Sequence, residues 1–240
     1  MILPVAILAG GRATRLGPLA QTTPKALMWV AGRPFVEHQI LRLKRAGVQR
    51  VVLCVGHLGA QIQAALGDGT RFGLALQYVA DGEKLLGTAG ALRQALPVLG
   101  PRFLVLYGDS YLTCDYAAVE AAFLESGRMG LMTVLRNDDQ WDRSNVLFET
   151  GRILRYDKRH PLSEMRHIDY GLGALCAEAF SSYPAADGEP FDLADLYVAL
   201  IEKGEMAGLE VTERFYEIGS PLGLEETRRF LERPCPPSNL

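Results

Sequence analysis

Leu8-Ala9-Gly10-Gly11-Arg12-Ala13-Thr14-Arg15-Leu16, with Pro24-Lys25 a few residues on, is the stretch that decides how this chain is read. The apolar run 5–8 favours a strand, and the double glycine ends it. Open α/β sheets bind their ligands beyond the carboxyl ends of strands, which is where this loop falls. Two glycines let backbone N–H groups approach phosphate oxygens with no Cβ in the way. Thr14 adds a hydroxyl donor, and Arg15 and Lys25 supply the positive charge that a triphosphate requires. Leu8, Ala9, Gly10, Gly11, Arg12, Ala13 and Thr14 are therefore candidate nucleotide-binding residues, and Arg15 and Lys25 candidate catalytic cations. Gly-Gly by itself also suits a plain strand-to-loop turn; the three cations in one short loop are what favour phosphate.

Two other phosphate-binding patterns fail on the same residues. A Walker A loop needs a Lys-Ser or Lys-Thr after its last glycine, and none stands here. A dinucleotide G-x-G-x-x-G needs that spacing and an immediate helix, and the Arg- and Pro-bearing segment supplies neither.

Working outward, strand-like runs at 51–55, 74–79 and 103–107 alternate with helical patterns at 34–46, 59–66 and 88–96. That alternation predicts right-handed βαβ units and a Rossmann-like α/β fold: a mixed, mainly parallel sheet flanked by helices. A helix at 117–126 and a strand at 130–135 follow. The second half changes character. Short strands at 145–149 and 152–156 flank Thr150-Gly151 as a hairpin. A strand at 172–176, a helix at 192–203, a short strand at 215–218 and a helix at 222–232 complete the pattern. The expectation is one domain, 1–232, with a nucleotide-binding half at 1–135, an acceptor-binding half at 136–232 and a flexible tail at 233–240.

Composition bounds the function. A 240-residue chain that is 48% apolar can bury a sizeable core. A net charge of −3 argues against a nucleic-acid partner, so an anionic substrate needs a local basic site. Cys54, Cys114, Cys176 and Cys235 form no C-x-x-C pair, and Cys54 reads as a small core residue. No apolar run approaches the ~18 residues of a membrane span, and the expectation is a cytoplasmic protein with no membrane partner. Oligomeric state is not visible, and a homo-oligomer stays open.

With those residues in place, the chain resembles the sugar-nucleotide pyrophosphorylases, or nucleotidyltransferases, whose signature L-A-G-G-x-G-T-R-L precedes P-K-x-L. Here it stands as Leu8 to Leu16 and Pro24-Lys25-Ala26-Leu27, with Ala13 in place of the third glycine. The likeness runs to about residue 231 and is nearest to the small heptose-1-phosphate guanylyltransferase-like and N-acetylmuramate-1-phosphate uridylyltransferase-like branch. It implies the nucleotide-diphospho-sugar transferase fold. It also implies a magnesium-dependent condensation of a nucleoside triphosphate with a sugar 1-phosphate, releasing pyrophosphate.

The resemblance assigns further roles. Gly87 and Thr88, in Leu86-Gly87-Thr88-Ala89-Gly90, would lie against the nucleobase, although Thr88 also reads as a helix N-cap. Asp109, after Tyr107-Gly108, would be catalytic through Mg²⁺, with Glu217 in Tyr216-Glu217-Ile218-Gly219 as second ligand in place of an aspartate. On the acceptor side Lys158 would bind the phosphate, and Asp157 would meet a sugar hydroxyl. Asn145, Asp169 and Gly171 match the remaining acceptor motifs, with Asp169 where asparagine is common. His57 could lie near the site, and no histidine is assigned as a base.

Departures at Ala13, Asp157, Asp169 and Glu217 keep two other readings open. One is cytidylyl-type transfer to phosphocholine or an aminophosphonate. The other is a non-catalytic nucleotide-sensing subunit.

Overall fold

The computed structural model describes residues 2–11, 22–82, 84–183 and 189–233. Arg12, Ala13, Thr14 and Arg15, and the tail from 234, lie outside the described residues.

The first half runs β1 (Val5–Ala9), a small hairpin of β2 (Trp29–Val30) and β3 (Arg33–Pro34), α1 (Phe35–Arg45), β4 (Arg50–Val55), α2 (Gly59–Leu66), β5 (Ala75–Ala80), α3 (Gly87–Leu99) and β6 (Arg102–Tyr107). Next come β7 (Ser110–Tyr111), α4 (Tyr116–Ser126) and β8 (Gly130–Arg136). The second half adds β9 (Val146–Glu149), β10 (Arg152–Tyr156), β11 (His167–Cys176), α5 (Leu193–Glu202), β12 (Met206–Val211), β13 (Tyr216–Glu217) and α6 (Pro221–Leu231).

Nine of these strands form one sheet in the order β5-β4-β1-β6-β11-β8-β12-β10-β9. It is mixed. β5, β4, β1 and β6 run parallel, as does β12 beside β8, while β11 and the β9–β10 hairpin are antiparallel to their neighbours. The parallel block is the part built from βαβ units, whose crossover helices require parallel return.

Why the central strands read as unbroken apolar runs is plain from their two faces. Val5 and Ile7, Val51 and Leu53, and Leu104 and Leu106 point to the side covered by α1, α2 and α4. Ala6, Val52, Cys54, Phe103 and Val105 point to the side covered by α3 and α5. Strand side chains alternate with period 2, so a sheet covered twice is apolar at every position. Burial pushes the Cys54 thiol up to about 12, in keeping with a small core residue and not a nucleophile.

The structure departs from the sequence reading at several elements. β12 was not anticipated, because Gly208 and Glu210 break its apolar pattern. Gly208 is there for space: a methyl group on it would come 2.6 Å from the Phe148 ring. β11 begins at His167, well before 172, with an irregular register against β8 between Asp169 and Gly173. Helix α3 starts at Gly87 and runs past Pro97 to Leu99.

Thr88 is not the cap of α3; Leu86 holds that position. The Thr88 hydroxyl instead donates to Asp192 Oδ1 at 3.1 Å and accepts from the Leu193 N–H at 2.7 Å. It ties the start of α3 to the start of α5. Thr88→Val removes both bonds and strands the Leu193 N–H. A loss of about 1–3 kcal/mol in unfolding free energy is expected, read as a lower urea midpoint. An unchanged midpoint would show that this cross-link contributes nothing. No helix among the described residues is long and apolar enough to cross a membrane.

Candidate active site

Two adjoining clefts open at the carboxyl end of the parallel strands. The first, of about 430 Å³, lies against Leu8, Ala9, Gly10 and Gly11 at the end of β1. Its other wall holds Asp81 after β5, and Gly87 and Thr88 at the start of α3. Gly87 has φ +75°, and a methyl group there would come 2.5 Å from the Phe191 carbonyl oxygen, so only glycine fits this wall. Asp81 accepts the Leu86 N–H at 3.2 Å, and burial raises its carboxyl above the usual range.

The second cleft, of about 630 Å³, lies over the second half of the sheet and includes Asn145, Asp169, Gly171 and Glu217. Lys25, Tyr107, Asp109 and Lys158 border both clefts. Lys25 Nζ donates to Asp109 Oδ2 at 2.7 Å, with the lysine side chain 17% and the aspartate 42% exposed. A cation and a half-open carboxylate thus meet where the two spaces join.

Glu217 reaches this junction through pairing of short strands. β13 pairs with β7, setting Glu217 opposite Ser110, and the Ile218 N–H donates to the Asp109 carbonyl at 3.0 Å. Its carboxylate closes its own turn: it accepts from the Gly219 N–H, from the Ser220 N–H at 3.1 Å and from the Ser220 hydroxyl at 2.6 Å. A methyl group on Gly219 would lie 2.6 Å from Glu217 Oε2, 3.1 Å from Lys25 Nζ and 3.6 Å from Asp109 Oδ2. Three charged groups therefore converge around one bare glycine.

Asp169 sits deeper. Its Oδ2 accepts from the hydroxyls of Tyr107 and Tyr156, each at 3.3 Å, and its Oδ1 from the Gly171 N–H at 3.1 Å. The Asp169 N–H donates to Asn145 Oδ1 at 2.9 Å, joining two predicted acceptor residues. Burial pushes the Asp169 carboxyl above the usual range, against the pull of the Gly171 N–H, Lys158 and the two tyrosine hydroxyls. Lys158 lies with Nζ 5.8 Å from the centre of the Tyr107 ring.

The sign of that shift gives an expectation. A folded pKa raised above the unfolded value means stability present below the ordinary aspartate range near ~3.9 and lost as pH rises through the folded value. Asp169→Asn is expected to raise the melting temperature at pH 7–8, with the gain shrinking as pH falls through the folded value and gone below about 4. A deficit in the variant that grows with pH would instead show a carboxylate held ionised by Lys158.

Not every predicted residue arrives. Asp157 borders neither cleft: its Oδ1 accepts the N–H groups of Arg159 and His160 at 3.0 and 2.7 Å. That oxygen closes its own turn, and the other lies 3.6 Å from Arg155, so the place of Asp157 lends no support to the expectation that it meets a sugar hydroxyl. His57 is exposed and also borders neither cleft. Arg12, Ala13, Thr14 and Arg15 belong to the undescribed segment. Sequence reasoning missed Tyr107, Tyr156, Asp81, Trp141 and Phe215. Tyr107 directly precedes Gly108-Asp109 at a strand end, a signal that was available; the others meet only through tertiary packing.

Comparison with known proteins adds the family. A family profile described as Nucleotidyl transferase matches residues 5–144. An N-acetylmuramate alpha-1-phosphate uridylyltransferase of Neisseria meningitidis is 45% identical over 113 residues, covering 47% of this chain and 49% of that protein. The protein of the same name from Caulobacter vibrioides is 28% identical over 90% of this chain and 91% of its own length. The inositol-1-phosphate CTP transferase from T. maritima superposes with a TM-score of 0.80 at 21% identity, covering 96% of both chains, which shows a shared fold. The chain spans about half the length of the first curated relatives that it matches.

Proposed function

From the premise that this chain belongs to the nucleotidyl transferase family, we propose that it condenses a nucleoside triphosphate with a sugar 1-phosphate to give a nucleotide-sugar and pyrophosphate. The observation that carries this is the Lys25–Asp109 pair at the junction of the two clefts, with Lys158 bordering both. Transfer between two phosphates needs both held on one line, with charge compensation where they meet.

The first cleft takes the triphosphate, its phosphates toward Gly10, Gly11 and Lys25 and its nucleoside toward Gly87 and Thr88. The second takes the acceptor, with Lys158 on its phosphate and Asn145, Asp169 and Gly171 along its body. An acceptor phosphate oxygen attacks the α-phosphorus, and the bond to the β,γ-pyrophosphate breaks. Lys25 faces the charge that accumulates there. Arg15, which lies outside the described residues, is assigned to the same task. No base is required, since a phosphate monoester with a second pKa of ~6 is already anionic at neutral pH.

Magnesium fits the residues present. Among the described residues no three His, Cys, Asp or Glu side chains gather as a dedicated cage. Mg²⁺ is ordinarily held by one or two carboxylates plus substrate phosphates, and Asp109 with Glu217 beside it offers that set. Asp109 would be the principal ligand, because it borders both clefts, whereas Glu217 borders only the second and its carboxylate closes its own turn. Bound there, Mg²⁺ supplies charge neutralisation between the reacting phosphates.

The test is a pyrophosphate-release screen of four triphosphates against a panel of sugar 1-phosphates with Mg²⁺. Release with at least one pair, dependent on both partners, is expected. Triphosphate binding with no release from any pair would point to a nucleotide sensor.

A further inference from the structure

One buried side chain of α1 holds the turn that carries Asp109. The buried stripe of that helix is Phe35, Val36, Gln39, Ile40 and Leu43. Gln39 is its polar member, and it is only 2% exposed. Its side-chain nitrogen donates to the Tyr107 carbonyl at 3.0 Å and to the Ser110 carbonyl at 2.8 Å. Both partners can only accept, so the amide N–H₂ spends both its hydrogens on them. Its Oε1 is buried with no hydrogen-bond partner among the described residues.

An orphaned buried oxygen costs stability, and an apolar side chain of similar size would fill this stripe without one. The role of Gln39 therefore lies in what its nitrogen holds. The two carbonyls bracket Gly108-Asp109, so one amide spans the turn from end to end. Two further bonds pin the same backbone: the Gly108 N–H donates to the Leu8 carbonyl and the Ile218 N–H to the Asp109 carbonyl, each at 3.0 Å. On so short a side chain, the Asp109 carboxylate goes where its backbone goes.

Arg42, one helical turn on, holds a different stretch. It donates to the carbonyls of Leu112, Thr113 and Cys114 at 3.4, 2.7 and 2.9 Å. It straps the chain beyond the site, whereas Gln39 straps the turn itself. The short turn Lys25–Leu27 also packs on α1, so the same helix supports both members of the Lys25–Asp109 pair.

Resting on the nucleotidyl-transfer reading above, we propose that Gln39 is the positioning residue for Asp109. It borders neither cleft. By clamping Tyr107 and Ser110 it fixes where the Asp109 carboxylate stands toward Lys25 and toward Mg²⁺.

The test compares Gln39→Met, Gln39→Glu and, as a control, Arg42→Met in the full chain. Gln39→Met removes both donated bonds at similar volume, and Gln39→Glu can donate at most one. Both should raise the Mg²⁺ concentration for half-maximal pyrophosphate release, and lower kcat, by about tenfold. KM for the sugar 1-phosphate should stay within about twofold. Binding of Mn²⁺ in the presence of a triphosphate, followed by electron paramagnetic resonance, should weaken by about tenfold as well, a readout independent of turnover. In an Asp109→Ala background, Gln39→Met should change kcat by less than about twofold, because it acts only through Asp109. Arg42→Met should lower the urea midpoint and leave the Mg²⁺ response unmoved.

An unmoved Mg²⁺ response and Mn²⁺ affinity in the Gln39 variants, an undiminished loss in the Asp109→Ala background, or the same metal effect from Arg42→Met overturns the proposal. If Gln39→Met does not fold, Gln39→Glu decides; if neither folds, Gln39 serves stability and the proposal fails. Absence of pyrophosphate release from wild type with every pair sinks the nucleotidyl-transfer reading instead, and the Mn²⁺ affinities still decide this inference. A wild type that binds no Mn²⁺ overturns it.

Discussion

Asp109→Ala is expected to lower magnesium-dependent pyrophosphate release by at least about a hundredfold, a loss of the size seen when one preorganised charge-stabilising group is removed from a reacting centre. The carboxylate is the half-exposed member of the junction, open to both clefts and 2.7 Å from Lys25. Its removal takes away the proposed metal ligand and leaves the Lys25 cation without its partner. Because the side chain is partly in solvent, the fold should tolerate the change, and the melting temperature should move little. Raising Mg²⁺ should recover part of the rate if binding of the ion is what was lost. Wild-type turnover in the variant would remove Asp109 from the mechanism.

Lys25→Ala is expected to reduce kcat well over tenfold, with a smaller change in KM. An interaction made mainly as charge moves onto the departing pyrophosphate lowers kcat more than it raises KM. Lys25 is the more enclosed partner, 17% exposed, so its charge acts in a less screened setting than Asp109. The two changes should not add. Groups in direct contact share one interaction, and the double variant should lose less than the product of the single losses. Full additivity would mean that the pair observed at 2.7 Å is broken in the reacting complex. Unchanged kinetics in Lys25→Ala would move catalysis to other residues.

The legible part of this protein lies where local pattern and tertiary role coincide. Val5 to Leu8, Val51 to Val55 and Phe103 to Tyr107 are apolar at nearly every position because both sheet faces are covered, and that is visible without coordinates. Gly10-Gly11, Lys25 and Asp109 follow strands or close loops, so chain order alone brings them to one end of the sheet. Glu217 is different. Its motif places it correctly beside Asp109, but that its oxygens turn inward to Gly219 and Ser220 is a side-chain choice that spacing does not encode. Asp157 shows the same limit, spent on its own turn. The Asp169 cluster gathers Tyr107, Tyr156 and Asn145 from three separate stretches, and only sheet pairing brings them together. β12 was hidden because Gly208, needed for room beside Phe148, interrupts the very alternation by which strands are recognised.

The most direct test of nucleotidyl transfer is phosphorus NMR of a reaction holding the chain, Mg²⁺, a triphosphate and the sugar 1-phosphate selected by the screen. The account requires a new diphosphate diester joining nucleotide and sugar, formed in equal amount with free pyrophosphate and only when both substrates are present. Inorganic phosphate from the triphosphate alone, or pyrophosphate with no diester, would contradict it.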